Sequence, residues 1–202
     1  MSYNNAYQNT PNLWGDKPTN LIVFFEDKFE PGCNCLDLGC DQGRDAIYMA
    51  KNNFKVIAVD NSEVAIEQLS QKIKEENISN IEAICSDILL LEIIAGKFQI
   101  IIAINALQFL PREQCLKFIY SMKEKIAANG FIIIKSFTVN DSGFVKTRNN
   151  NTNTFFQSNE LKELFSDFNI IHYFEYLTLD PGHGEKLEPH LHGIVELVAQ
   201  KK

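Results

Sequence analysis

The segment Leu36-Asp37-Leu38-Gly39-Cys40-Asp41-Gln42-Gly43-Arg44 sets two glycines and two carboxylates just beyond a short apolar run. A turn of this kind leads from a strand into a helix. It gathers backbone N–H groups at a helix N-terminus, and a glycine at position 39 lets a ligand approach the main chain. Asp60 follows 21 residues after Gly39, the interval at which an acidic residue closing a second strand accepts hydrogen bonds from ribose hydroxyls. Asp87, after a third strand, would lie beside an adenine-sized ring at the same sheet edge. Each residue also has an ordinary reading: a tight turn for the glycines, a helix cap near Ser62 for Asp60, the start of a turn for Asp87. Their common register points to a ligand that contains a nucleoside.

A second group lies far along the chain. His190 and His192 stand two apart at the start of a strand and so project to one face. They could accept a proton, bind an oxyanion or form part of a metal pair with His183; the alternative is two polar residues at an exposed strand end. Arg44, at a helix N-terminus, could attract a carboxylate or oxyanion, or pair with Asp41 or Asp45. Trp14 either folds over the site as part of an N-terminal lid or anchors packing. The five cysteines, Cys33, Cys35, Cys40, Cys85 and Cys115, form no C-x-x-C pair, so reduced, buried or semi-buried thiols are expected and no metal.

These residues need elements to hold them. The apolar pattern alternates short β-branched runs with amphipathic segments, which predicts an α/β fold: a Rossmann-like seven-stranded sheet, mostly parallel, with helices on both faces. Strands are expected over residues 35–38, 55–60, 81–86, 98–105 and 131–137, with a C-terminal antiparallel hairpin from 170–179 and 192–199. Helices are expected over 19–29, 44–51, from Ser62 to about Asn77, from Pro111 to a stop at Asn129-Gly130, and briefly from Ser158. Residues 140–154 are rich in Asn, Ser and Thr and read as a long polar loop of the kind that covers binding sites. The domain division is a polar N-terminal segment, 1–18, and one domain, 19–202.

With 202 residues, 45% of them hydrophobic, the chain can bury one substantial core. Its net charge of −7 and lack of a basic run disfavour nucleic-acid partners. Its apolar runs are far short of the ~20 residues that cross a bilayer. The N-terminus has neither the basic nor the apolar part of a leader peptide, which suggests a cytoplasmic protein with no membrane partner.

The glycine turn resembles the class I S-adenosylmethionine-dependent methyltransferases, whose D/E-x-G-x-G-x-G signature is similar to Asp37-Leu38-Gly39-Cys40-Asp41-Gln42-Gly43. The resemblance covers residues 33–137. Trp14-Gly15-Asp16-Lys17-Pro18, Gly43-Arg44-Asp45-Ala46 and His190-Leu191-His192-Gly193 look like the small bacterial tellurite-resistance-type methyltransferases. The resemblance implies S-adenosyl-L-methionine as cofactor, with Asp37 and Gly39 along its methionine half, Asp60 at the ribose, and Asp87 with the Ile88 backbone facing adenine. Asn105 would supply a backbone carbonyl to the cofactor amine. Asp41 replaces the middle glycine of the signature, adding a side chain where backbone and cofactor normally meet; aspartate tolerates positive φ, so the turn survives. His190, His192 and Arg44 are the catalytic candidates.

The fourth strand ends Asn105-Ala106-Leu107-Gln108-Phe109, without the Asn/Asp-Pro-Pro-aromatic sequence that holds an exocyclic amine of a nucleic-acid base. A small-molecule acceptor, such as a thiol or metalloid oxyanion, is therefore expected. The rival readings are an NAD-dependent Rossmann oxidoreductase, weakened because G-x-G-x-x-G is absent, and a non-catalytic cofactor-binding or regulatory domain in which Asp41 marks a decayed site.

Overall fold

The computed structural model describes residues 3–147, 152–181 and 188–202. Its elements run α1 (Asn4–Asn9), α2 (Asn20–Phe25), β1 (Asn34–Leu38), α3 (Arg44–Lys51), β2 (Lys55–Asp60), α4 (Glu63–Glu75), β3 (Ile81–Cys85), β4 (Phe98–Ile104), α5 (Arg112–Lys125), β5 (Ile126–Phe137), α6 (Ser142–Thr147), α7 (Glu160–Leu164), β6 (Asn169–Asp180) and β7 (His190–Gln200). Short 3-10 turns interrupt the connections. The strands form one sheet in the order β3-β2-β1-β4-β5-β7-β6. β1 to β5 are mutually parallel; β7 runs antiparallel between β5 and β6. This is the Rossmann-like sheet with a terminal hairpin that the apolar pattern predicts.

Alternation along the central strands separates two cores. Cys35, Val56, Ala58, Ile100 and Ile102 pack beneath Leu21, Ile22 and Phe25 of α2, Ala46 and Met49 of α3 and Leu69 of α4. Leu36, Leu38, Ile101, Ala103 and Ile132 face Phe118, Ile119 and Met122 of α5 and Leu161 of α7. Because β4 is buried on both faces, it is apolar throughout residues 100–104; β1 is buried likewise, but places Asp37 within its run. Among the described residues, no helix is long and apolar enough to cross a membrane.

Several elements differ from their sequence expectations. The helix expected over 19–29 leaves the α conformation at Phe25 (φ −110, ψ 4) and tightens into a 3-10 turn, Glu26–Lys28. The helix expected to stop at Asn129-Gly130 ends at Lys125, where β5 begins. Asn129 (φ 60) instead bends β5, where the pairing register with β4 shifts. Gly130 is needed there because a Cβ would come within 2.9 Å of the Gln99 carbonyl oxygen. The polar N-terminus contains α1, which lacks an apolar stripe and is held by polar contacts to α4: Ser62 Oγ bonds Asn4 Oδ1 at 2.5 Å, and Gln68 Nε2 donates to the Tyr7 carbonyl at 3.0 Å. The expected loop 140–154 includes the short helix α6; its residues 148–151, and most of the connection 180–189 with His183, lie outside the described residues. The cysteines are free thiols, but Cys85 is exposed at the end of β3, and not even semi-buried.

Candidate functional site

The carboxyl ends of β1, β2 and β4 open into a cavity of about 580 Å³, large enough for a nucleoside-sized ligand with room beside it. The turn after β1 shapes its floor. Gly39 (φ 74) carries the chain so close to the residue after β4 that a Cβ would sit 2.7 Å from the Ala106 Cβ. The glycine thus permits contact between two strand ends, and it also lines the cavity. Gly43 (φ 83) is the N-cap residue of α3, and a Cβ there would strike the Leu69 side chain of α4. Its role is helix packing, and it does not line the cavity.

Three acidic side chains crowd this floor. Asp37, 3% exposed in β1, has a buried Oδ2 with no hydrogen-bond partner among the described residues. Burial pushes its carboxyl well above the usual range; Asp45 and Asp41 add to the rise and Arg44 opposes it. Asp60 braces the turn, accepting from the Asp41 N–H at 3.0 Å and from the Ser62 N–H at 2.8 Å. Burial raises its carboxyl despite these bonds. Ser62 caps α4, as expected, accepting from the Ala65 N–H at 3.2 Å. Asp41 (φ 50) adopts the left-handed conformation its position in the signature requires, and burial moves its pKa up to about 7, with the Tyr7 hydrogen bond opposing. Burial holds these three carboxyls toward their neutral forms, and a cationic ligand entering the cavity would draw out their negative charge.

The outer rim carries Asp87 and Ile88. Asp87 caps the following turn through the Leu89 N–H at 2.9 Å, as its turn reading expects, and it also lines the cavity. Asn105 (φ 51) faces the cavity from the end of β4, and its carbonyl accepts from Gln108 Nε2 at 2.7 Å.

The N-terminal segment lies across the glycine turn, bound by the polar residues of that turn. Tyr7 donates to Asp41; the Leu13 N–H donates to Gln42 Oε1 at 2.7 Å; the Thr19 N–H and hydroxyl each reach Asp45 at 2.7 Å. The Arg44 guanidinium donates to the Trp14 carbonyl at 3.1 Å and to Thr19 Oγ1 at 2.8 Å, and pairs with Asp45 at 3.5 Å. Of its alternatives, pairing with Asp45 is the arrangement present. Trp14 lines the cavity.

At the opposite end stand the histidines of β7. His192 lines the cavity, and its Nε2 lies 3.1 Å from that of His190, so the two do share a face. His192 Nδ1 is 2.7 Å from Oδ2 of Asp141, which is buried, and Phe137 stacks on the imidazole with ring centres 4.7 Å apart. Asp141 reaches His192 because residue 193 is glycine: a Cβ there would meet Thr138 Oγ1 at 2.5 Å and the Asp141 nitrogen at 2.6 Å. Asp180, opposite His190 in the β6–β7 register, completes the group with Oδ2 3.7 Å from His192 Nε2. Sequence reasoning singled out neither Asp141 nor Asp180. The hairpin register could have supplied Asp180; Asp141, 51 residues from His192, had no local signal.

The family model described as "Tellurite resistance protein TehB" matches residues 23–181. A probable S-adenosyl-L-methionine-dependent methyltransferase TehB of Haemophilus influenzae is 31% identical over 143 residues, covering 71% of this chain and 48% of the relative. A carboxy-S-adenosyl-L-methionine synthase of Glaesserella parasuis is 29% identical over 138 residues, 65% of this chain and 56% of that one. The chain spans about half the length of these curated relatives. Among solved structures, TehB from Haemophilus influenzae superposes with a TM-score of 0.78 at 24% identity, covering 99% of this chain and 66% of that one. The N-methyltransferase NodS from Bradyrhizobium japonicum, in complex with S-adenosyl-L-homocysteine, gives 0.73 at 16% identity, covering 100% and 99%. These superpositions establish a shared fold.

Proposed function

The chain belongs to the TehB tellurite-resistance protein family, and from that premise we propose that it transfers the methyl group of S-adenosylmethionine to a small, non-polymeric acceptor, a thiol or a metalloid oxyanion. The observation that carries the reading is Asp37: a buried carboxylate at the head of β1 with one oxygen unsatisfied, flanked by two further raised carboxyls. A buried polar atom left without a partner costs free energy until a ligand supplies one, and the ammonium and sulfonium of S-adenosylmethionine carry the complementary charge. The same cavity offers Asp60 to the ribose, Asp87 with Ile88 to adenine, and the remaining acceptor capacity of the Asn105 carbonyl to the amine. When bound, the cofactor supplies an electrophilic methyl on positively charged sulfur.

The chain's contribution is alignment and exclusion of water. In-line displacement gains most from fixing nucleophile, methyl carbon and leaving sulfur along one axis. The N-terminal segment, fastened by Tyr7, Leu13 and Thr19, covers the cofactor side. Arg44 acts as a positioning residue, holding that segment on the turn. His192, oriented by Asp141 and Phe137, and His190 beside it stand at the acceptor end and engage the acceptor rather than the cofactor. The net charge of −7 and the concave, bounded cavity support a small acceptor over nucleic acid.

Isothermal titration with S-adenosylmethionine, S-adenosylhomocysteine and NAD tests the assignment. One equivalent of either adenosyl ligand should bind, with no heat from NAD. Binding of NAD in preference would return the chain to the oxidoreductase reading. Cofactor binding without turnover across small thiols, selenite, tellurite and simple amines would favour a regulatory domain.

A further inference from the structure

We propose that Asp180, His190 and His192 form a binding site for a divalent first-row transition-metal ion such as Zn2+, at the end of the cavity opposite the glycine turn. Their ligand-capable atoms lie within 4.8 Å of one another. The ring tautomers follow from their partners. Nδ1 of His190 lies 2.9 Å from the Glu188 carbonyl oxygen, which can only accept, so this nitrogen carries the proton. Nδ1 of His192 donates in the same way to the Asp141 carboxylate at 2.7 Å. With each Nδ1 engaged in this way, the two Nε2 atoms point at each other across 3.1 Å, with an Asp180 oxygen 3.7 Å from that of His192. Groups gathered this closely are bridged either by a shared proton or by a cation held among them, and the three ligand groups present suit a metal ion.

The spacing suits a metal ion. Bonds of roughly 2.0–2.2 Å in tetrahedral geometry hold ligand atoms about 3.3–3.6 Å apart, and the observed 3.1 and 3.7 Å bracket that range. The surroundings have the features of a metal site's outer layer, in which each imidazole gives its second N–H to a carboxylate or backbone carbonyl. Strand pairing sets the spacing of the ligands: Asp180 pairs with His190, and Thr178 with His192, in the antiparallel register of β6 and β7. Two imidazoles and one carboxylate favour zinc, iron, cobalt or nickel over calcium or magnesium, and they leave coordination positions open. His192 and Asp180 line the cavity, so those positions lie at its edge. The inference does not depend on the methyl-transfer reading.

Full-length protein stripped with EDTA and titrated with Co2+ provides the test, followed by competition with Zn2+. One equivalent should bind with a visible d–d band and no near-ultraviolet thiolate band. His190→Gln and Asp180→Asn should each weaken Co2+ binding by at least ten-fold, and Asp141→Asn by about ten-fold to a hundred-fold, as removal of an orienting partner does. Zn2+ should also move the imidazole 15N resonances of the unmutated protein, a readout independent of how the variants fold. The proposal is overturned if no equivalent binds, which would assign the short contact to a shared proton. Binding retained in the His190→Gln/Asp180→Asn double variant, or a thiolate band lost in Cys85→Ser, would overturn it too. The titration uses neither cofactor nor acceptor, so its outcome is separable from that of S-adenosylhomocysteine binding.

Discussion

The phenol of Tyr7 donates its hydrogen bond to the carboxylate of Asp41, the residue that stands where the methyltransferase signature has its middle glycine. A departure from the signature is thereby converted into an anchor: the added side chain ties α1 to the glycine turn, while its backbone N–H is held by Asp60. Burial has raised Asp41 to about 7, so this anchor changes charge near neutral pH.

A pH dependence follows. Because the folded-state pKa of Asp41 is above its unfolded value, its contribution to stability is fully present below about pH 4 and is lost as pH rises through about 7. Thermal unfolding of the ligand-free protein should therefore fall in temperature between pH 5 and 8, and Asp41→Asn should flatten that fall. Cofactor affinity should move the opposite way, since a cationic ligand favours the ionised carboxylate: it should rise with pH through about 7, by no more than about ten-fold per unit from this one group. Asp41→Gly, which restores the signature, should keep or improve affinity while making it less pH-dependent. A large loss of affinity in that variant would give Asp41 a direct role in the ligand site.

Asp37→Asn should separate stability from binding. The amide keeps the shape but removes a buried charge whose protonation the fold already favours, so the ligand-free variant should unfold at the same or a higher temperature. Its S-adenosylhomocysteine affinity should drop by about ten-fold to a hundred-fold, the equivalent of ~1.5–3 kcal/mol for a charged hydrogen bond. Calorimetric titration beside a thermal melt decides it; an unchanged dissociation constant would move the cofactor amine elsewhere.

What the sequence made legible was local. β2 and α3 occupy the residues expected, because the continuous apolar run of one and the helical stripe of the other are complete within a few residues. The positions of Asp37, Asp60 and Asp87 around one cavity followed from parallel-strand order, which brings the carboxyl ends of β1, β2 and β3 to one edge. Asn129-Gly130 misled because a left-handed Asn before Gly serves a bent strand as well as a helix stop. Long-range polar contacts left no periodic trace: Tyr7 meets Asp41, and Asp141 meets His192, through segments whose residue types read only as polar loop. Gly193 was visible in the sequence, but its purpose, to let residues 138–141 cross β7 closely, depends on packing.

Asp60→Ala should damage both turn and site. It removes the acceptor of two backbone N–H groups as well as the group proposed for the ribose, so a thermal melt should register a loss of about 1–3 kcal/mol in stability. Affinity for S-adenosylmethionine should fall by roughly ten-fold to a hundred-fold in the protein that remains folded. Stability lost with affinity intact would confine Asp60 to bracing the turn.

The histidines call for a measurement that distinguishes acceptor from cofactor. They sit on β7, across the cavity from Asp37, with His192 clamped between Asp141 and Phe137. Replacing both His190 and His192 with Gln should therefore depress kcat for the best acceptor by about a hundred-fold or more while leaving the S-adenosylhomocysteine dissociation constant within about two-fold, the pattern of groups acting on the acceptor in the transition state. The assay needs a panel of small thiols, selenite, tellurite and simple amines. Asp141→Asn serves as the control for orientation: it leaves both imidazoles in place but weakens the bond that aims His192, so it should lower kcat less than the double replacement does. Turnover at the parental rate in the double variant would take the hairpin out of the reaction and direct the search for the acceptor pocket to Trp14, Arg44 and Phe109, which line the same cavity from its other side.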